Sequence, residues 1–93
     1  MAGSGSTNPV YETMTTFRTS KYKIRVWREV PLRIWKMGPD EEIIEALSKV
    51  ITARGVFETS DFIDALKHLP NISAIEVLNS QTHDGGIYYP DWR

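Results

Sequence analysis

Residues 20–30 alternate between apolar and polar side chains. Tyr22, Ile24 and Val26 occupy one set of positions, and lysine, arginine and tryptophan occupy the other. Because successive side chains of a β-strand point to opposite faces of a sheet, this alternation predicts a strand with one buried and one solvated face. Pro31 has no amide donor, so we expect regular strand pairing to stop there.

The segments on either side of this strand have weaker patterns. Residues 10–19 mix polar and apolar side chains, and Met14 and Phe17 either begin a strand or pack a loop against the domain. Residues 32–37 alternate again. They are interpreted as a second short strand, as an edge segment, or as a continuation of the first strand through a β-bulge at residues 29–31.

Two amphipathic helices are predicted next. The first begins in residues 38–42, where a proline and three acids suit the first turn of a helix, and ends at Gly55. The second is capped by Thr59 or Ser60 and stopped by Pro70. Apolar residues at helical spacing form a stripe on each helix. The stripes are Ile43, Ile44, Leu47, Val50 and Ile51 in the first helix, and Phe62, Ile63, Leu66 and Leu69 in the second.

The rest of the chain predicts a β-hairpin. Residues 72–78 are typical of a buried strand, with Ile75 facing the core and Glu76 facing outward. The polar, glycine-containing residues 79–86 predict a loop, and the β-prone residues 87–89 predict a short second strand.

These elements together predict an α+β fold. The simplest packing is a three- or four-stranded, mostly antiparallel sheet with both helices on one face. Residues 1–9 are small, polar and rich in glycine and serine. Because such residues bury too little apolar surface to offset their ordering entropy, we expect a flexible tail before one domain at residues 10–93.

The C-terminal third combines a helix ending in Leu69 and Pro70, the segment 71–77 (Asn-Ile-Ser-Ala-Ile-Glu-Val), a polar loop and residues 86–89 (Gly-Ile-Tyr-Tyr). This part resembles half of a ferredoxin-like module such as the heavy-metal-associated domains. Those domains carry a Cys-x-x-Cys metal loop, and this chain has no cysteine. The resemblance therefore implies a structural unit and not metal binding.

Charge is divided unequally along the chain. Through Gly38 there are seven basic and two acidic residues, a balance of +5. From Pro39 onward there are four basic and ten acidic residues, a balance of −6, and the sum is −1. Such polarity is typical of a partner-binding surface or of head-to-tail association, and also of two halves that neutralise each other within the fold.

Composition excludes several classes of function. Without cysteine the chain has no disulfide, thiolate metal site or thiol nucleophile. The N-terminus lacks the pattern of a secretory signal, and no apolar run approaches the roughly 20 residues that cross a bilayer. We therefore expect a cytoplasmic protein that does not enter a membrane.

The first candidate site is the polar face of the predicted strand. Cations interleaved with aromatic rings are typical of single-stranded nucleic-acid binding, in which cations contact phosphates and rings stack on bases. A sequence pI of about 6.1 argues against this use, and a solvated sheet face explains the same residues. The candidate residues are Lys21, Lys23, Arg25, Trp27, Arg28 and Trp35.

The second candidate site is the aromatic C-terminus, formed by Tyr88, Tyr89, Trp92 and Arg93. Tyrosine, tryptophan and arginine are enriched among the residues that dominate protein–protein binding. The alternative is that these rings cover the edge of a thin core. Strand alternation places the two tyrosines on opposite faces, so we expect one in the core and the other exposed.

The histidines and carboxylates do not form a catalytic or metal-binding pattern. His83 precedes Asp84 in a predicted loop, and His68 lies on the second helix, but neither belongs to a nucleophile or His-x-x-x-His motif. Favourable placement at a helix N-terminus explains the acids of residues 40–45. We therefore assign no catalytic residue, metal ligand, cofactor or small-molecule substrate.

The sequence favours a small non-enzymatic protein-interaction or assembly module, such as an adaptor, an inhibitor, or a viral or phage accessory factor. An unpaired sheet edge could support self-association, most simply as a two-fold dimer. The alternative is single-stranded nucleic-acid binding through the basic and aromatic sheet face.

Overall fold

The computed structural model describes residues 10–32, 38–53 and 58–90. The predictions for residues 1–9, for residues 33–37 and for a helix end at Gly55 lie outside them. The elements are β1 (Val10–Arg18), β2 (Tyr22–Pro31), α1 (Glu41–Ala53), α2 (Thr59–Leu66), β3 (Ile72–Asn79) and β4 (Gly85–Tyr88). Four antiparallel strands in one sheet and two helices confirm the predicted α+β fold.

The strands lie in the sheet in chain order, β1-β2-β3-β4, so β1 and β4 form its two edges. β2 and β3 are neighbours although both helices lie between them in sequence. The pairing of β2 with β3 shifts by one residue between Trp27 and Arg28. The helix–hairpin unit that resembles half of a ferredoxin-like module is present as α2, β3 and β4. The order of the whole domain, with two consecutive helices, differs from the alternating β-α-β-β-α-β order of that module.

The hydrophobic core lies between the helices and one face of the sheet. The rings of Tyr22 and Phe62 meet edge to face, with centroids 5.5 Å apart. Each fully buried aliphatic or aromatic side chain contributes about 1.5–3 kcal/mol to folding. The core residues are Tyr22, Ile24 and Val26 of β2, Ile43, Leu47 and Val50 of α1, Phe62 and Leu66 of α2, and Ile72, Ile75 and Val77 of β3.

β1 is a strand of nine residues. The sequence of this segment was compatible with either the start of a strand or a loop packed against the domain. Its helix-facing side contains threonines, and Thr15 is buried at 3% exposure. The Thr15 hydroxyl accepts a hydrogen bond from the backbone N–H of Asp40 at 3.2 Å. A buried hydroxyl with a partner is tolerated in the core, and β1 is thereby connected to the start of α1.

The helix starts differ in detail from the prediction. Asp40 caps α1, because its Oδ1 accepts from the N–H groups of Glu42 at 3.0 Å and Ile43 at 3.3 Å. The cap of α2 is Glu58 rather than Thr59 or Ser60. The backbone N–H of Glu58 donates to Oδ2 of Asp61 at 2.7 Å, which completes a reciprocal capping arrangement.

Candidate functional site

One face of the sheet packs against no helix in the part of the chain that the structure describes. We call this surface the open face. The strand register places alternate residues of all four strands on it. These residues are Val10, Glu12, Met14, Thr16 and Arg18 of β1, Lys23, Arg25, Trp27 and Glu29 of β2, Ala74, Glu76 and Leu78 of β3, and Gly85 and Ile87 of β4.

Apolar side chains run across the middle of the open face. Met14, Trp27 and Ala74 are neighbours on three successive strands. Met14 is 49% exposed and Ile87 is 51% exposed, while Trp27 is half-buried among its neighbours. A sheet with one face in water usually places polar residues on that face, so this apolar row departs from the usual pattern.

The charges of the open face are balanced, three basic against three acidic. Arg25 forms an ion pair with Glu76 on the adjacent strand, and its guanidinium carbon lies 5.7 Å from the centroid of the Trp27 ring. The positive charge of Arg25 is thus already compensated. The six charged residues are Arg18, Lys23 and Arg25 against Glu12, Glu29 and Glu76.

The other four charged residues stand in two like-charge pairs. Glu12 lies directly opposite Glu29 near one end of the β1–β2 ladder, and Arg18 lies directly opposite Lys23 at the other end. None of the four forms an ion pair with another described residue. Like charges directly opposite each other on adjacent strands are destabilising, and no charge among residues 10–32, 38–53 and 58–90 compensates either pair by an ion pair.

The structure brings together only part of the predicted basic and aromatic site. Lys23, Arg25 and Trp27 share the open face, as the alternation of the sequence predicted. Lys21 lies in the turn before β2, with its Nζ 5.6 Å from the centroid of the Tyr22 ring. Trp35 lies outside the described residues.

Arg28 is on the opposite face of β2, so its inclusion among the residues of this site was wrong. Its side chain is 10% exposed, and its Nη1 donates to Asp40 Oδ2 and to Glu42 Oε1, each at 2.9 Å. Its Nε donates to the carbonyl of Pro70 at 3.0 Å. The cluster lines a cleft of about 460 Å³ and links β2 to the start of α1 and to the segment before β3.

The alternation of buried and exposed positions along β2 is the signal that could have placed Arg28 on the buried face. Tyr22, Ile24 and Val26 are buried, and Arg28 continues the same period of two. A buried arginine requires partners of opposite charge. The acids that precede α1 provide those partners, so their role extends beyond favourable placement at a helix N-terminus.

The C-terminal tyrosines lie at the β4 edge of the sheet. Tyr88 pairs with Ile75 on the helix-facing side, yet it is 40% exposed, and Tyr89 is 75% exposed. Neither ring is buried in the core, but Tyr88 lines a groove together with Tyr22 and with Ile63 of α2, and thus lies at the edge of the core. No cis peptide bond occurs in the described ranges, so the bond before Pro90 is trans. Trp92 and Arg93 lie outside those ranges.

The histidines are separate and exposed. His68 follows α2, and His83 is in the loop between β3 and β4 with a φ of 63°. Over residues 10–32, 38–53 and 58–90, no three histidine and acidic residues form a group suited to a metal ion. No helix within these ranges has the length and apolar character needed to span a bilayer.

Comparisons with models of known protein families, with curated proteins and with solved structures find no match for this chain. Within the described part of the chain, the open face combines apolar side chains that no helix covers with four charged residues that form no ion pair.

Proposed function

We propose that this chain is a small non-enzymatic protein-interaction and assembly module that binds through the open face. The observation that supports the proposal is the row of Met14, Trp27 and Ala74, which crosses three strands and is covered by neither α1 nor α2. Apolar surface of this kind is stabilised when it is removed from water, at about 25 cal/mol per Å². A protein partner is the kind of molecule that covers such a surface.

The residue types of the row support a protein partner. Methionine and aromatic residues are enriched in the centres of protein interfaces, and tryptophan is among the residues that most often dominate binding energy. Trp27 is held in place by Arg25, which is itself paired with Glu76. A large side chain fixed in this way loses little conformational entropy when a partner binds.

The proposal is tested by site-specific crosslinking in the cells that produce the protein. A photoreactive benzoylphenylalanine at position Met14 should form covalent adducts with a protein of defined mass. The same group at Lys49, on the exposed side of α1, is the matched control and should give none. Equal adducts from both positions, or none from Met14, would contradict the use of the open face.

The C-terminal residues Tyr88, Tyr89, Trp92 and Arg93 are proposed as a second partner-binding region. The supporting observation is that Tyr89 is largely exposed directly after the edge strand β4. Loss of the Met14 adduct in a Tyr89→Ala variant would place this tyrosine in the same interface. An unchanged adduct would separate it from the open face.

Single-stranded nucleic acid is a second candidate partner, because Lys23 and Arg25 precede Trp27 on the same face of β2. The balance of three basic and three acidic residues and the Arg25–Glu76 pair weaken this candidate. We expect no salt-sensitive change in anisotropy when the protein is titrated into labelled single-stranded DNA or RNA. Salt-sensitive binding that is lost with both Lys23→Glu and Trp27→Ala would replace the protein partner by nucleic acid.

A further inference from the structure

We infer that the partner of the open face is a second copy of this chain, related by a two-fold axis that lies between the two sheets and crosses β1 and β2. The inference rests on the proposed function, because it uses the same surface. It goes further by naming the occupant and the register. The observations that carry it are the positions of the uncompensated charges along β1 and β2.

The two like-charge pairs have opposite signs and lie toward opposite ends of the same two strands. Glu12 and Glu29 make one end acidic, and Arg18 and Lys23 make the other end basic. Each pair destabilises an isolated chain. A second copy laid antiparallel across the open face would bring the acidic end of each chain to the basic end of the other, and would compensate both pairs.

The spacing on β1 fits a two-fold axis. Thr15 is midway between Glu12 and Arg18, three residues from each. A two-fold rotation about an axis that passes Thr15 perpendicular to the strand reverses the strand direction. A residue that lies a given number of positions before Thr15 then faces the residue that lies the same number of positions after Thr15 in the second copy. Glu12 of one copy then faces Arg18 of the second copy.

The spacing on β2 gives the same axis, as the register that pairs Glu12 with Glu29 and Arg18 with Lys23 requires. Val26 is midway between Lys23 and Glu29, again three residues from each. Thr15 and Val26 are partners in the strand register, so both midpoints lie on one line across the sheet. One rotation therefore satisfies the charges of both strands, which is the property required of a self-complementary, two-fold interface.

The side chains near the two-fold axis are also complementary between the two copies. Trp27 of one copy faces Arg25 of the second copy, a cation–aromatic contact of the kind that already exists within the chain at 5.7 Å. Met14 faces Thr16 of the second copy, so both methionines lie close to the axis. The apolar row of each chain is thereby covered by the middle of the other sheet.

The dimensions of packed sheets allow these contacts. A rise of about 3.3 Å per residue places each charged group about 10 Å from the axis, and packed sheets are about 10 Å apart. Aligned sheets cross at about 30°, which displaces groups at this distance from the axis by about 5 Å. Glutamate, lysine and arginine side chains can span such a displacement. Because the contacts argued here involve only β1 and β2 of each chain, we expect a weak association, with a dissociation constant of about 10–100 μM.

Charge reversal of single residues tests the register by sedimentation equilibrium. Glu12→Lys should place lysine against Arg18 of the second copy and weaken dimerisation roughly ten-fold, and Arg18→Glu should do the same. An equimolar mixture of the two variants should recover dimerisation, because both contacts are then between opposite charges. Reversal of an exposed pair on α1, by Glu45→Lys and Lys49→Glu, is the matched control and should change nothing.

Thermal unfolding of the same variants separates lost association from lost folding. In the monomer, Glu12→Lys converts the clash with Glu29 into an attraction, and Arg18→Glu does so with Lys23. At a dilution where the chain is monomeric, each variant should therefore have an unchanged or higher Tm. A lower Tm together with weaker dimerisation would overturn the inference, since the charges would then be needed within one chain.

The remaining outcomes are also decisive. A wild-type chain that stays monomeric up to about 500 μM would overturn the inference. Crosslinking from position Met14 to a different protein would still uphold the proposed function. A dimer that is insensitive to both reversals, or that is not recovered in the mixture, would exclude the two-fold register.

Discussion

Replacement of Arg28 by methionine should destabilise the domain by about 3 kcal/mol. Methionine preserves much of the length and apolar volume of the side chain but removes its charge and its donors. Asp40 Oδ2 and the carbonyl of Pro70 then lose the hydrogen bonds that they accept at 2.9 and 3.0 Å. Because the Asp40 side chain is only 14% exposed, the variant leaves Oδ2 of its carboxylate partly desolvated and without the arginine.

The magnitude follows from the exposure of the three charged side chains. Arg28 is 10% exposed and Asp40 is 14% exposed, and removing one partner of a buried pair costs about 3–5 kcal/mol. We take the lower end, because neither group is fully enclosed. Glu42 is 67% exposed, and an ion pair with such a group contributes at most about 1 kcal/mol. For a domain of this size, a loss of about 3 kcal/mol lowers Tm by roughly 12–24 °C.

Urea unfolding followed by circular dichroism measures this effect, with Lys49→Met as the matched control. Lys49 pairs with Glu45 at 3.5 Å, and both side chains are more than 70% exposed, so the control should cost less than about 0.5 kcal/mol. Adding Asp40→Asn to Arg28→Met should recover part of the loss, because the unpaired charge disappears. An Arg28→Met cost of less than about 1 kcal/mol, similar to the control, would refute the reasoning.

Three further pairs of variants test local features by the same unfolding measurement. Asp40→Ala should cost about 1 kcal/mol more than Asp40→Asn, because only asparagine retains the helix cap; equal costs would argue against the cap. Gly85→Ala should destabilise the β3–β4 hairpin by about 1–3 kcal/mol, because the added Cβ would lie 2.8 Å from the carbonyl oxygen of Val77. Gly86→Ala is the control: its Cβ would make only ordinary van der Waals contacts, and the variant should be as stable as the wild type. The backbone of His83 is in the left-handed region, with a φ of 63°. His83→Gly should therefore be neutral or stabilising, and His83→Val should destabilise the domain by about 1 kcal/mol. The opposite order of stabilities would contradict this left-handed turn conformation.

Most of the fold could be predicted from the sequence, because period-two and helical patterns were strong in β2, β3 and both helices. β1 was the exception. Its helix-facing side contains Thr13 and Thr15, while Met14 is on the open face, so hydrophobic periodicity along β1 is weak. The Thr15 hydroxyl is accommodated by a hydrogen bond from Asp40, which no local pattern reveals.

The candidate site could be predicted only in part. Alternation within β2 placed Lys23, Arg25 and Trp27 on one face, and the structure agrees. The residues of β1, β3 and β4 that lie beside them depend on the pairing register between strands. The sequence pattern of one strand does not give that register. For that reason the apolar neighbour Met14 and the opposed like charges were missed, and Arg28 was grouped with the wrong face.

The most direct test of the central claim is a dilution series of the ¹⁵N-labelled protein followed by two-dimensional NMR, between about 20 μM and about 1 mM. We predict concentration-dependent shifts at the amides of Met14 and Ile87 and at the indole N–H of Trp27, with Glu45 and Lys49 unaffected. Spectra that do not change with concentration, or shifts confined to the helices, would contradict the pairing of two open faces.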